Sequence, residues 1–69
     1  PNPTEGKFFV QADDIKDISV YNLVGQEIMS SVVENDNCTI DLSNFNEGIY
    51  FVKINTSNAS LTKRLILAY

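Results

Sequence analysis

Apolar and polar residues alternate along much of this chain with the two-residue period of a β-strand. The pattern is strongest over residues 48–54, where Tyr50, Val52 and Ile54 fall on one face and Ile49, Phe51 and Lys53 on the other. β-Branched and aromatic residues dominate this stretch, which predicts a central strand. Ahead of it, Asn46-Glu47-Gly48 reads as a turn, with Gly48 able to take a backbone conformation that a side chain would obstruct. Tyr50 follows that glycine by two residues, in the order of a tyrosine corner: the ring packs in the core and the hydroxyl bonds to nearby backbone.

The same period recurs on either side. Phe8 and Val10 oppose Phe9 over residues 7–11, Ile18 and Val20 mark a second segment, and residues 26–33 are rich in β-branched side chains without helix caps. Cys38, Ile40 and Leu42 alternate with Thr39, Asp41 and Ser43, and Leu61, Lys63, Leu65 and Leu67 with Thr62, Arg64 and Ile66. Polar clusters separate the segments. Ala12-Asp13-Asp14 and Glu34-Asn35-Asp36-Asn37 read as turns, residues 56–60 as a loop, and Asn22-Leu23-Val24-Gly25 as a hairpin whose glycine closes a type I turn. Residues 1–6 hold both prolines and predict an extended lead-in ending in a turn. No segment has a capped helical period, so the chain is expected to be all-β: a small immunoglobulin-like antiparallel β-sandwich of about six or seven short strands.

Length and composition narrow what such a fold could do. A chain of 69 residues makes one domain that buries only about 60% of its unfolded surface, so every core side chain counts. The 43% hydrophobic and 20% charged content fits a globular chain. No apolar run approaches the roughly 20 residues of a membrane-spanning helix. A net charge of −4 with five basic residues argues against nucleic acid as a partner. The single cysteine, Cys38, cannot form an intrachain disulfide and lies on an apolar face, where a thiol acts as a small inert hydrophobe. Histidine is absent, which removes Ser-His-Asp, Cys-His and zinc-histidine chemistry together. Asp36 and Asp41 could pair as carboxylates, but so short a chain has little room for a cleft beside its core. Asp13, Asp14 and Asp17 lack the alternating ligands and glycine of a calcium loop. A non-enzymatic module without a cofactor is expected. The start at Pro1, with neither an initiator methionine nor a secretory signal, predicts that residues 1–69 are one domain of a longer secreted precursor.

Taken in order, Pro1-Asn2-Pro3-Thr4 with Gly6-Lys7-Phe8, the segment Ile18-Ser19-Val20-Tyr21-Asn22-Leu23-Val24-Gly25-Gln26-Glu27-Ile28, then Ile40-Asp41-Leu42-Ser43, Gly48-Ile49-Tyr50-Phe51-Val52-Lys53-Ile54 and Thr62-Lys63-Arg64-Leu65-Ile66 cover nearly the whole chain. Their order and spacing resemble the C-terminal sorting domain of type IX secretion cargo, type A. The resemblance implies an immunoglobulin-like sandwich at the end of a protein exported by gram-negative bacteria. In that family the domain is read in the periplasm by the type IX translocon and outer-membrane shuttle proteins. A sortase-type cysteine peptidase then usually removes it, and the N-terminal cargo reaches the cell surface or the medium. The matching features here are Pro1, Asn2 and Pro3, the turn glycine Gly25, the Gly48 and Tyr50 pair, and Lys63 with Arg64. A regular strand points Lys63 and Arg64 to opposite faces, and a terminal strand at a sheet edge could also be read by strand addition. The alternative expectation is an adhesive or carbohydrate-binding sandwich module, which needs an exposed aromatic platform or a calcium site.

Overall fold

A computed structural model describes residues 6–68. It is all-β, with four antiparallel strands: β1 (Lys7–Tyr21), β2 (Glu27–Asp41), β3 (Gly48–Thr56) and β4 (Ser60–Leu67). They hydrogen-bond into one sheet in the order β2-β1-β3-β4. The six or seven short strands expected from the sequence are therefore four among the described residues, because two predicted turns do not end their strands. Residues 12–14 lie inside β1 and residues 34–37 inside β2, each strand running for 15 residues.

Both sites are irregularities in the ladder. Between the pairs Gln11↔Asn37 and Ile15↔Asn35, three residues of β1 face one of β2; between Ile15↔Asn35 and Asp17↔Val32, Lys16 faces Val33 and Glu34. Such mismatches bend a strand without ending it. Asp14 (φ 56°) and Glu34 (φ 51°) take left-handed backbone there, a conformation that aspartate tolerates better than most residues. Asp14 also ties the bend together. Its N–H donates to Asp36 Oδ1 at 2.9 Å, and its carbonyl accepts from the Ser57 N–H at 3.2 Å.

The bends fold the sheet over itself. A straight strand of 15 residues would span roughly 50 Å, whereas the longest dimension of the Cα trace is 33 Å. Connectivity requires the same thing. Since β1 is antiparallel to both neighbours, β2 and β3 run parallel, and in a flat sheet the end of β2 would lie at least the length of β3, roughly 30 Å, from the start of β3. The short connection 42–47 spans at most about 25 Å. Doubling back brings Asp41 within its reach.

Folding over also gives the core a cover. Phe8, Val10, Ile40 and Leu42, from the parts of the chain beyond the bends, form one buried cluster with Ile18, Val20, Tyr50, Val52, Ile54, Leu65 and Leu67. The predicted faces hold: Tyr50, Val52 and Ile54 are buried, and Lys53 is exposed. Glycine is needed at the start. Gly6 has φ +99°, and a Cβ there would sit 2.7 Å from Ser43 Cα, while its carbonyl accepts the Leu42 N–H at 2.6 Å.

Candidate recognition surface

The residues singled out from the sequence fall in three places, and the fold does not gather them into one site. Pro1, Asn2 and Pro3 lie outside the described residues. Gly25 closes the β1–β2 hairpin with φ +89°. There the Gly25 N–H donates to the Asn22 carbonyl at 3.0 Å, and Asn22 Oδ1 accepts from the N–H groups of Val24 at 3.1 Å and Gln26 at 2.9 Å. That network matches the type I turn and left-handed glycine read from the sequence. It leaves Leu23 and Val24 exposed at the tip.

Gly48 opens β3 at the same end of the sheet, where Tyr21 pairs with Phe51. Tyr50 is buried, and its hydroxyl donates to the Asn46 carbonyl at 2.6 Å. The ring of Phe45 meets it edge-on, 6.4 Å between centroids and 62° between planes. The tyrosine corner thus holds the 42–47 connection against the core. Asp41 Oδ1 fixes the start of that connection by accepting the Ser43 N–H at 2.9 Å. The Ser43 hydroxyl and N–H, with Lys7 adding a favourable charge, hold the Asp41 carboxyl below the usual range.

Lys63 and Arg64 sit on β4, the edge strand, opposite Val52 and Phe51. Lys63 shares the face of Leu61, Leu65 and Leu67, whereas Arg64 shares the outer face with Ile49, Phe51 and Ile66. Neither has an ion-pair partner among the described residues. Both line a groove of about 600 Å³ between β4 and the first part of β1. Phe8, Val10, Val52, Leu61 and Leu65 supply its apolar walls. Lys7 joins the two cations of β4, so three of the chain's five basic residues converge there, and among the described residues no carboxylate lines the groove. The sequence pattern singles out Lys63 and Arg64 as candidate recognition residues, whereas Lys7, Phe8 and Leu61 stand in it only as parts of strand segments. Cationic residues at both ends of the chain, each set in an alternating apolar segment of an acidic protein, were the available signal.

Other chemistry is sparse. Cys38 is half-buried against the core cluster, and burial pushes its thiol above the ordinary value. Among the described residues no group of three or more His, Cys, Asp or Glu is placed to hold a metal ion. On the outer face Asn55 Nδ2 donates to Asp17 Oδ1 at 2.6 Å and Ser60 Oγ to Asn55 Oδ1 at 2.9 Å, a polar ladder across β1, β3 and β4. Two of the three aspartates weighed against a calcium loop are engaged separately. Asp17 is in that ladder, and Asp14 is held low by the Ser57 hydroxyl and by Lys16, 3.4 Å away.

Comparison with known proteins adds the family. Searches of curated proteins and of solved structures find no match. A family profile described as "Secretion system C-terminal sorting domain" matches residues 1–68. The family is a sorting signal of type IX secretion and not a catalytic one. With a match of that extent, over a folded sheet held by a tyrosine corner, the chain belongs to the type IX secretion-system C-terminal sorting domain family.

Proposed function

We propose that this domain directs an N-terminal cargo across the outer membrane through the type IX system, and that a sortase-type cysteine peptidase then removes it. The observation that carries this reading is the family match over residues 1–68. The cargo passes through the periplasm, is recognised there by the translocon and its outer-membrane shuttle proteins, and ends at the cell surface or in the medium. Residues 1–69 act as one domain of a larger precursor. The folded sheet and its corner support a reduced immunoglobulin-like sandwich as the architecture that the apparatus reads.

Within the domain, roles divide by chemistry. Gly25, Gly48 and Tyr50 hold backbone geometry, so their contribution to sorting is to keep the surface in shape. Lys63 and Arg64 are exposed and unpaired among the described residues, which suits direct contact with a partner. Pro1, Asn2 and Pro3 form the lead-in by which the domain follows its cargo. The test is a fusion of residues 1–69 behind a periplasmic reporter, with surface and medium reporter compared between strains with and without the translocon. Translocon-dependent appearance is expected, and equal amounts in the two strains would overturn the reading.

A further inference from the structure

We propose that the groove between residues 7–11 of β1 and β4 takes an extended acidic segment of a partner protein, bound as an added strand. The inference rests on the sorting function proposed above and names the chemistry of the partner. Residues 15–21 of β1 have β2 on one side and β3 on the other, but residues 7–11 pair only with β2. Their second edge has no strand among the described residues, and neither does the outer edge of β4. An unpaired edge is a row of unmet N–H and C=O groups, a template for another chain.

The side chains along this template define what fits. Leu61 is 42% exposed although it shares the face of buried Leu65 and Leu67, so an apolar position is left open for an incoming residue. Lys63 and Arg64 stand beside it without ion-pair partners among the described residues. In a chain of net charge −4, this is where positive charge gathers. A segment alternating apolar with acidic residues would set its apolar face against Phe8, Val10 and Leu61 and its acidic face on the side of Arg64, with Lys63 adding attraction from the apolar side, which favours the correct partner in encounter and register. A polyanion without apolar groups would leave the walls unmatched, and a compact ligand would leave the strand edge unpaired.

A second copy of the chain is the main competitor for the site. The outer edge of β2 carries Glu34 and Asp36, so unlike edges of two copies attract. Such a contact is head-to-tail and would build rings or open chains of molecules.

The probe is a fluorescent synthetic peptide of about nine residues, a strand's length, in which valine alternates with glutamate. Titrated against the 69-residue chain, it should bind and shift the amide resonances of residues 7–11 and 60–65. A Lys63→Glu/Arg64→Glu double variant should weaken binding by at least about tenfold, with its thermal melt unchanged. Methylating alternate peptide nitrogens should weaken it as much, leaving the protein untouched. Absence of binding up to about 1 mM peptide, equal binding by the charge-reversed variant, or undiminished binding of the methylated peptide would each overturn the proposal. Concentration-dependent self-association abolished by the same charge reversal would assign the groove to a second copy and overturn it too. The two readings fail separately: a reporter fusion that is exported while the peptide does not bind removes only the groove assignment, and a fusion that is not exported removes the sorting function whatever the peptide does.

Discussion

The two halves of β4 carry the same alternation and end in different surroundings. Leu61, Leu65 and Leu67 share one face, yet Leu61 is 42% exposed while Leu65 and Leu67 are 7% and 1% exposed. Leu65 pairs with Tyr50, and the 42–47 connection covers that end through Phe45 and Asn46. Leu61 pairs with Ile54 at the groove, where no described residue closes over it. Alternation therefore fixes which way a side chain faces, and a separate part of the chain decides whether it is covered. In this domain the covered half is built for stability and the open half is available for contact.

The strongest way to break this division is at the corner. Tyr50→Ala should cost on the order of 3 kcal/mol, enough to unfold much of so small a domain. Tyr50→Phe, which keeps the ring and removes only the bond to Asn46, should cost about 1 kcal/mol. An unchanged denaturation midpoint in the alanine variant would show that the covered half does not depend on the corner.

The leucines provide the direct contrast. Leu67→Ala should lose about 3 kcal/mol by opening a cavity, and Leu61→Ala less than about 1 kcal/mol, since it is already partly in water. Equal losses in urea unfolding would erase the distinction between the halves.

A smaller effect is expected in acid. Because Ser43 and Lys7 hold the Asp41 carboxyl low, the folded state takes up its proton less readily than the unfolded state. That contribution is complete above the ordinary aspartate range and is lost as pH falls through the lowered folded value. Asp14, held by Ser57 and Lys16, behaves in the same sense. Asp41→Asn should flatten the acid side of a stability profile without changing stability order among the leucine variants. A profile as steep as that of the unaltered chain would place the acid response elsewhere. Both carboxylates are exposed, so the change should be modest.

The smallest change in stability is expected at Lys63→Glu, within about 0.5 kcal/mol. A large loss there would mean that the open half also carries the fold.

Much of the fold was legible from residue pattern. The faces of residues 48–54 and 61–67, the Asn22–Gly25 turn and the bond from Tyr50 to nearby backbone follow from periodicity and turn chemistry acting over a few residues. The strand count did not. Ala12-Asp13-Asp14 and the polar run from Glu34 have the composition of turns, and composition does not separate a turn that reverses the chain from a bulge that bends it. Register decides, and register depends on the partner strand. The groove was illegible for the same reason. Lys7 and Lys63 are 56 positions apart (63 − 7), and only the bend at Asp14 places them on one opening. Gly6 looked like part of a proline-rich lead-in, and its contact with Ser43 emerges only after the ends of β1 and β2 are paired.

The continuity of β1 has a mechanical consequence. Residues 1–5 lead into Gly6, whose carbonyl is bonded to the Leu42 N–H, and the same strand then passes through the bend to become an interior strand beside β3. A pull on the lead-in is first borne by the pairing of Gly6 and Lys7 with Leu42 and Asp41, and then by the ladder on both sides of residues 15–21. Tension from the N-terminal side therefore loads the middle of the sheet in series with its edge. Resistance to being drawn out should therefore come in two stages: residues 7–11, held by β2 alone, give way first, and residues 15–21, held by β2 and β3, resist until the sheet itself opens.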